Sequence, residues 1–325
     1  MKPTAVPTPH DSFAQAVFSD PAQAAVVFQA ALPPELLRHL DLAQAELRPS
    51  LFKADDLHER RADFLFKVPL AGEDAYLLTL LEHQSRQDST LAARLLVYAG
   101  RALDRHMREN PGAKRLPAVI PVVLYHGERA WTAPRELLEL YALPDEATDA
   151  LRGHVPNLRF FLDDLSQTED ADLRKRPGPV LARVALLAMR HAQELRRSKD
   201  PAATMRALAS SLGDLLLQVQ ERTGRTVVVR YMLEIVELES DVGQEILLQA
   251  MPGRVKEDVV TAADQLRAQG RTEGKRGALL QLLREGFAPL PPEVEQRVAS
   301  ASESELVAWT GRVLRAKSLD DVFAG

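Results

Sequence analysis

The stretch RADFLFKVPLAGEDAYLLTLLEHQ, Arg61 to Gln84, decides the fold. In its first third, Ala62, Phe64, Phe66 and Val68 alternate with Asp63, Leu65 and Lys67. That period of two is the signature of a half-buried strand. Ala71, Gly72, Glu73 and Asp74 supply a turn, and the segment from Ala75 to Gln84 returns from it as a second strand. Both faces of the returning strand are apolar, as expected for a central strand covered on two sides. The apolar run then ends on a carboxylate, an imidazole and an amide: Glu82, His83 and Gln84.

Glu82 and Gln84 are two residues apart and leave the same face of the strand, whereas His83 faces the other way and reads as a structural histidine. Antiparallel pairing about the turn from Ala71 to Asp74 sets Asp63 opposite Glu82. Two carboxylates so close raise each other's pKa unless a cation neutralises them. A hard divalent ion with oxygen ligands, Mg²⁺ above all, resolves the conflict. Such an ion polarises a phosphodiester and acidifies a bound water, which points to hydrolysis.

Outward from the hairpin the pattern is mixed. Asp20 and Pro21 mark a helix start, with Ala24, Val27, Phe28 and Ala31 on one face and LPPELL closing the element. From Thr90 to about Glu109, Leu91, Leu95, Tyr98, Ala102 and Met107 recur at helical spacing, and Asn110-Pro111-Gly112 stops the helix. AVIPVVLYHG, Ala118 to Gly127, is a third strand, with Pro121 assigned to an edge or a bulge. The first half thus reads α–β–β–α–β. After about Arg159 the chain turns helical, although TVVVRYMLEIVEL begins like a strand. RAQGRTEGKRG, Arg267 to Gly277, reads as a linker or loose helix. In the tail, Ser304 is the expected N-cap of a helix packed through Val307, Trp309, Val313 and Leu314. The expected division is a nuclease-like domain over 1–165, a helical region over 166–270 and a small helical module over 271–325. Residues 1–9, with three prolines, read as a disordered arm.

At 325 residues the chain exceeds a single core. Its 46% hydrophobic and 27% charged content is that of a globular protein, and cysteine is absent, which excludes disulfides and thiolate zinc sites. No run approaches the length that crosses a bilayer, and the N-terminus lacks a signal-peptide core, so a cytoplasmic location is expected. The net charge of −5 argues against a broadly basic surface but not against a local basic groove. There is no G-x-S-x-G and no H-E-x-x-H, and GRTEGKRG misses the spacing of a phosphate-binding loop.

The segments PHDSF…ALPPELL, RRADFLFKV, LLEHQSRQDSTLAARLLVYA and LPAVIPVVLYHG…W resemble the Rpn family of recombination-promoting nucleases, also labelled "putative transposases". The likeness covers roughly residues 9–135, and the last 45 or so residues are similar to a small helical domain appended to that family. The resemblance implies an α/β fold with the PD-(D/E)XK restriction-endonuclease core, a mixed sheet flanked by helices, followed by an all-helical second half. It implies Asp63 and Glu82 as metal ligands and catalytic acids. Gln84 then stands where the commonest pattern has lysine, so it orients water by hydrogen bonding without adding charge. Lys67 or Lys53 could restore a cation, and Glu59 or Asp11 could add a ligand, against the simpler reading of all four as surface groups.

The function expected on these grounds is Mg²⁺-dependent (or other divalent-cation-dependent) DNA endonuclease activity, with a role in recombination or transposition. Arg86, Arg94 and Arg101 are the candidate phosphate contacts, Arg94 and Arg101 being seven apart on one helix face. His126 and Tyr98 read as structural. DNA is the expected partner and a membrane is not; assembly into a homo-oligomer is compatible with the sequence. The rival is a nuclease-fold DNA-binding or regulatory protein with little or no cleavage, motivated by Gln84 and the acidic net charge; an interaction protein built on the helical half is a third reading.

Overall fold

The computed structural model describes residues 8–49, 63–82, 87–236, 238 and 240–324. The first half runs α1 (Pro9–Phe18), α2 (Pro21–Ala31), α3 (Pro34–Leu37), β1 (Glu46–Arg48), β2 (Asp63–Leu70), β3 (Glu73–Glu82), α4 (Leu91–Glu109), β4 (Ala118–Tyr125), α5 (Asp145–Leu151) and β5 (Phe161–Asp164). Helices follow: α6 (Asp170–Lys175), α7 (Val180–Arg197), α8 (Pro201–Gln218), α9 (Arg222–Glu234) and α10 (Ser240–Ala250). The last are α11 (Val255–Phe287), α12 (Pro292–Ser300), α13 (Glu303–Val313) and α14 (Leu319–Phe323). The described residues form a large unit over 8–259 and a small one over 260–324.

The sheet of the large unit has the order β1-β2-β3-β4-β5. β1, β2 and β3 are antiparallel; β4 and β5 continue parallel to β3. This is the mixed sheet with flanking helices expected of a nuclease-like α/β core. The long, doubly apolar β3 takes the central place, with Ala75 through Leu80 buried.

The β2–β3 hairpin turns on two residues, not four. Leu70 is opposite Glu73, and both Ala71 (φ 49°) and Gly72 (φ 87°) are left-handed. A two-residue turn of this kind matches strand twist and favours glycine or asparagine at both positions. The consequence is a register one step tighter than the sequence suggested: Asp63 lies opposite Leu80, two residues short of Glu82. Alanine is the less suited residue at position 71. Ala71→Asn should therefore raise the unfolding free energy by about 0.5–1 kcal/mol, and Ala71→Val should lower it by about as much. Urea unfolding checks both signs, and a lower midpoint for the asparagine variant would contradict the turn geometry.

One face of the sheet is covered by α4. Leu91, Ala92, Leu95 and Ala102 pack on Leu65, Tyr76, Leu78, Leu80 and Val123. Its inner stripe ends on His106, whose Nδ1 lies 3.3 Å from the Tyr76 hydroxyl, while Met107 is exposed. On the opposite face the Phe28 ring of α2 meets Phe66 edge-on at 5.5 Å, and α7 packs behind α1 and α2. Pro121 sits in an interior strand, yet β5 pairs with β4 only from Val122 onward. The proline is thus at a local edge, where a missing N–H is tolerated.

Several sequence expectations are corrected. Pro9 already begins α1, with Thr8 as its N-cap. LPPELL closes α2 as expected, with Leu32 as its C-cap, and its last four residues add the separate short helix α3. TVVVRYMLEI is helix throughout as part of α9, because Val228, Val229, Tyr231 and Met232 are buried at helical spacing. The glycine-punctuated 267–277 segment is continuous helix within α11. In the small unit the cap of α13 is Ser302, in a reciprocal capping box with Glu305. Trp309 and Val313 join Phe323, Leu279 and Leu283 in its core, whereas Val307 and Leu314 are exposed.

Candidate active site

The carboxyl ends of the three parallel strands form one rim. Glu82 is in register with Tyr125 of β4, and Tyr125 with Asp164 of β5. Asp63 begins β2 beside that rim, opposite Leu80. Leu80 and Val123 belong to the core under α4. By strand parity, positions 63, 82 and 125 fall on that same α4 face, so the two acids stand as diagonal neighbours, not a directly opposed pair. Gln84, Arg86, His83, Lys53 and Glu59 lie outside the described residues.

Around this end the chain is tightly organised. Tyr125 is buried and meets Trp131 edge-on at 5.1 Å; Trp131 in turn meets Phe160 at 5.9 Å. A β-carbon at position 127 would collide with the Tyr125 ring and hydroxyl, which explains the glycine of YHG. The Trp131 N–H donates to Asp164 (2.9 Å), whose other oxygen accepts from Ser166 N (3.0 Å) and Oγ (2.7 Å). Asp164 is thus a structural acid, fully engaged.

Gln87, five residues past Glu82, reaches across to the loop after β4. Its Nε2 donates to the Ala130 carbonyl at 2.7 Å, and its Oε1 accepts from Thr132 N at 2.7 Å and Ala133 N at 2.9 Å. Asp88 turns to the helix. It accepts from Thr90 N (2.9 Å) and Oγ1 (2.7 Å) and from Arg94 (2.7 Å), while Arg94 also donates to the Tyr98 hydroxyl (3.2 Å). Burial opposes ionisation of Asp88, but the Arg94 and Thr90 hydrogen bonds outweigh it and hold the carboxyl below its usual range.

Of the other sequence candidates, Arg94 is occupied by Asp88 and Tyr98, and half-buried Arg101 shares its helix face. Lys67 pairs with Asp74 at 2.9 Å, at the hairpin end of the sheet, away from Asp63. Asp11 closes a capping box with Thr8. His126 is buried with its ring 5.0 Å from that of His10, whose Nδ1 lies 2.7 Å from the Tyr231 hydroxyl. It is part of the packing between β4, α1 and α9.

Two carboxylates at neighbouring positions on one face offer oxygen donors alone, the set that a hard divalent ion takes. The strand end therefore fits such an ion chemically. Among the described residues no group of three or more histidine, aspartate or glutamate side chains is placed to hold a metal ion. Among them, too, no helix is long and apolar enough to cross a membrane.

A family model described as "Putative transposase, YhgA-like" matches residues 8–224. The chain belongs to that family. Within this YhgA-like chain the matched span takes in the whole sheet, α4 and the helices through α8. Similar proteins carry related names. Recombination-promoting nuclease RpnD of Escherichia coli O157:H7 is 31% identical over 56% of this chain and 66% of its own length. Recombination-promoting nuclease RpnA of Escherichia coli (strain K12) is 26% identical over 93% of this chain and 97% of its own. An inactive recombination-promoting nuclease-like protein, RpnE, of the same strain is 32% identical over 37% of this chain and 40% of its own. No solved structure matches.

Gln87 and Asp88 escaped the sequence reading of this YhgA-like chain. Their one local signal was position, immediately after the EHQS run and before the α4 start. The partners of Gln87, from Tyr125 to Ala133, are too distant in sequence to leave a pattern, whereas Asp88 bonds locally to Thr90 and Arg94.

Proposed function

We propose that this protein is a divalent-cation-dependent DNA endonuclease that hydrolyses phosphodiester bonds. The observation that carries the reading is the placement of positions 63 and 82 on one face at the rim of the central strands, Asp63 lying opposite Leu80, two residues before Glu82. Membership of a family whose similar members are named recombination-promoting nucleases supports it. Asp63 and Glu82 would hold Mg²⁺ or a similar ion. When bound, that ion supplies polarisation of the phosphodiester and a water of lowered pKa. Gln84, two residues beyond Glu82, orients the attacking water through its amide. Arg86 and Arg101 meet backbone phosphates, which gives affinity without sequence information. Arg94 lends charge to the same face, its donors being engaged by Asp88 and Tyr98. The setting is recombination or mobile-element DNA in the cytoplasm.

A second reading has its own support. Gln84 replaces a cation, and two of the similar proteins are named inactive. In that case the chain binds DNA without cutting it. Supercoiled plasmid incubated with the purified protein and Mg²⁺, Mn²⁺ or EDTA separates the two. Nicking that EDTA abolishes supports the endonuclease; retarded plasmid that stays intact in every buffer overturns it in favour of the binding module.

A further inference from the structure

Resting on the endonuclease reading, we infer that Gln87 is a positioning residue for the proposed site, the clamp that fixes how the chain leaves β3. Its amide is used at both ends. Nε2 donates to the Ala130 carbonyl at 2.7 Å and approaches the Tyr125 hydroxyl at 3.4 Å. Oε1 accepts from Thr132 N, Ala133 N and, at 3.2 Å, the Thr132 hydroxyl. The loop it holds is fixed in turn by Trp131, whose backbone N–H binds Asp164 and whose Nε1 donates to the Ala133 carbonyl at 2.8 Å. The next residue, Asp88, secures the same chain to the start of α4 through Thr90 and Arg94. The segment carrying Glu82 and Gln84 is therefore followed at once by two consecutive anchors, one to the β4 loop and one to the helix. The Gln87 anchor is to the loop after β4 and the Asp88 anchor to the start of α4. Their chemistry is one of placement, and misplacement of a catalytic group by about 1 Å can cost about 10²-fold in rate.

The clamp requires a donor and an acceptor on one planar group. Glutamate keeps the shape but, when ionised, sets an oxygen against the Ala130 carbonyl oxygen. When protonated it regains a donor and mimics the amide. Partial burial beside a carbonyl favours the neutral acid, while the Thr132 and Ala133 N–H donors favour the carboxylate. Among the described residues, the charged or titratable groups on the surrounding elements are Tyr125 on β4 with His126 after it, Asp88, Arg94 on α4, Asp164 on β5, and Glu128 and Arg129 in the loop. All of them are present in the unaltered protein and cancel in a comparison with it.

The test uses the full chain, Gln87→Ala and Gln87→Glu, with plasmid nicking in Mn²⁺ from about pH 5.5 to about pH 8.5. Gln87→Ala should lower kcat at least about tenfold with KM within about twofold, the split expected when only the reacting geometry is disturbed. Gln87→Glu should be similarly impaired at alkaline pH and recover, relative to the unaltered protein, as the pH falls. If Gln87→Ala does not fold, the pH profile of Gln87→Glu decides the matter within one protein. Kcat of either variant within about twofold of the unaltered protein at alkaline pH overturns the inference while leaving the nuclease reading intact. Trp131 fluorescence is the readout that does not need cleavage. A pH-dependent Trp131 signal in Gln87→Glu, absent from the unaltered protein, supports the clamp even where no nicking occurs, an outcome that sinks the nuclease reading alone. No such signal overturns the clamp.

Discussion

Asp63→Ala is expected to abolish metal-dependent nicking, reducing the rate by at least about 10³-fold, or about 4 kcal/mol of transition-state stabilisation. The effect is electrostatic. A divalent ion held by two carboxylates loses half of its protein charge when one is removed, and the remaining acid cannot retain it at ordinary concentrations. Affinity for duplex should not fall, because deleting an acid beside a phosphate track removes repulsion. Loss of cleavage with binding intact is therefore the signature. Asp74→Asn is the appropriate control, since it changes the same charge at the opposite end of the same hairpin, where Asp74 pairs with Lys67. A plasmid nicked as fast by Asp63→Ala as by the unaltered protein would remove Asp63 from the site.

The second large effect concerns stability. Asp163 of β5 and Arg176, at the end of α6, form a bidentate pair with contacts of 2.6 and 2.7 Å. Their side chains are 4% and 11% exposed, so the pair is buried where the helical half joins the sheet. Replacing one member of such a pair strands the other charge, and Arg176→Met should cost about 3–5 kcal/mol in urea unfolding. The double variant Arg176→Met/Asp163→Leu should recover most of that loss, because an apolar pair of similar volume avoids the desolvation cost. Burial already pushes the Asp163 carboxyl upward, and Arg176 pulls against it. Without Arg176, the folded pKa rises further above the unfolded value of about 3.9. An acid raised in the folded state binds protons on folding, so the penalty grows as pH rises above that unfolded value and shrinks on acidification. A destabilisation of Arg176→Met that is equally large at low and neutral pH would show that Asp163 remains charged without its partner.

How much of this was legible beforehand depends on how local each signal is. The strands β2, β3 and β4 announced themselves through alternation and β-branched runs, and the order of elements around them followed. The strands β1 and β5 did not, being three and four residues long with charged members and so too short for a period to register. The β-branched run of α9 misled because propensity yields to burial in a helical bundle. Met107 was preferred to His106 on hydrophobicity, although the helical phase places the histidine against Tyr76. The alternation sets positions 63 and 82 on one face but in the wrong pairing, since four turn residues are expected where left-handed Ala71 and Gly72 make the turn with two. The error was an even number of residues along β3, and parity survived it. Gln87 was invisible for the opposite reason, its bonds being made to backbone more than 40 residues away.

The two-residue hairpin also acts as a counting device for descendants of this sequence. Adding or losing one amino acid while the bend keeps two residues would shift the pairing by one and invert β3 relative to β2, sending its α4-side row to the opposite face and position 82 away from position 63. Changes of two amino acids would merely slide the strand and preserve the side. Length variants at this bend should therefore occur in even steps wherever the chemistry is retained, and an odd step should mark a lineage that has abandoned it.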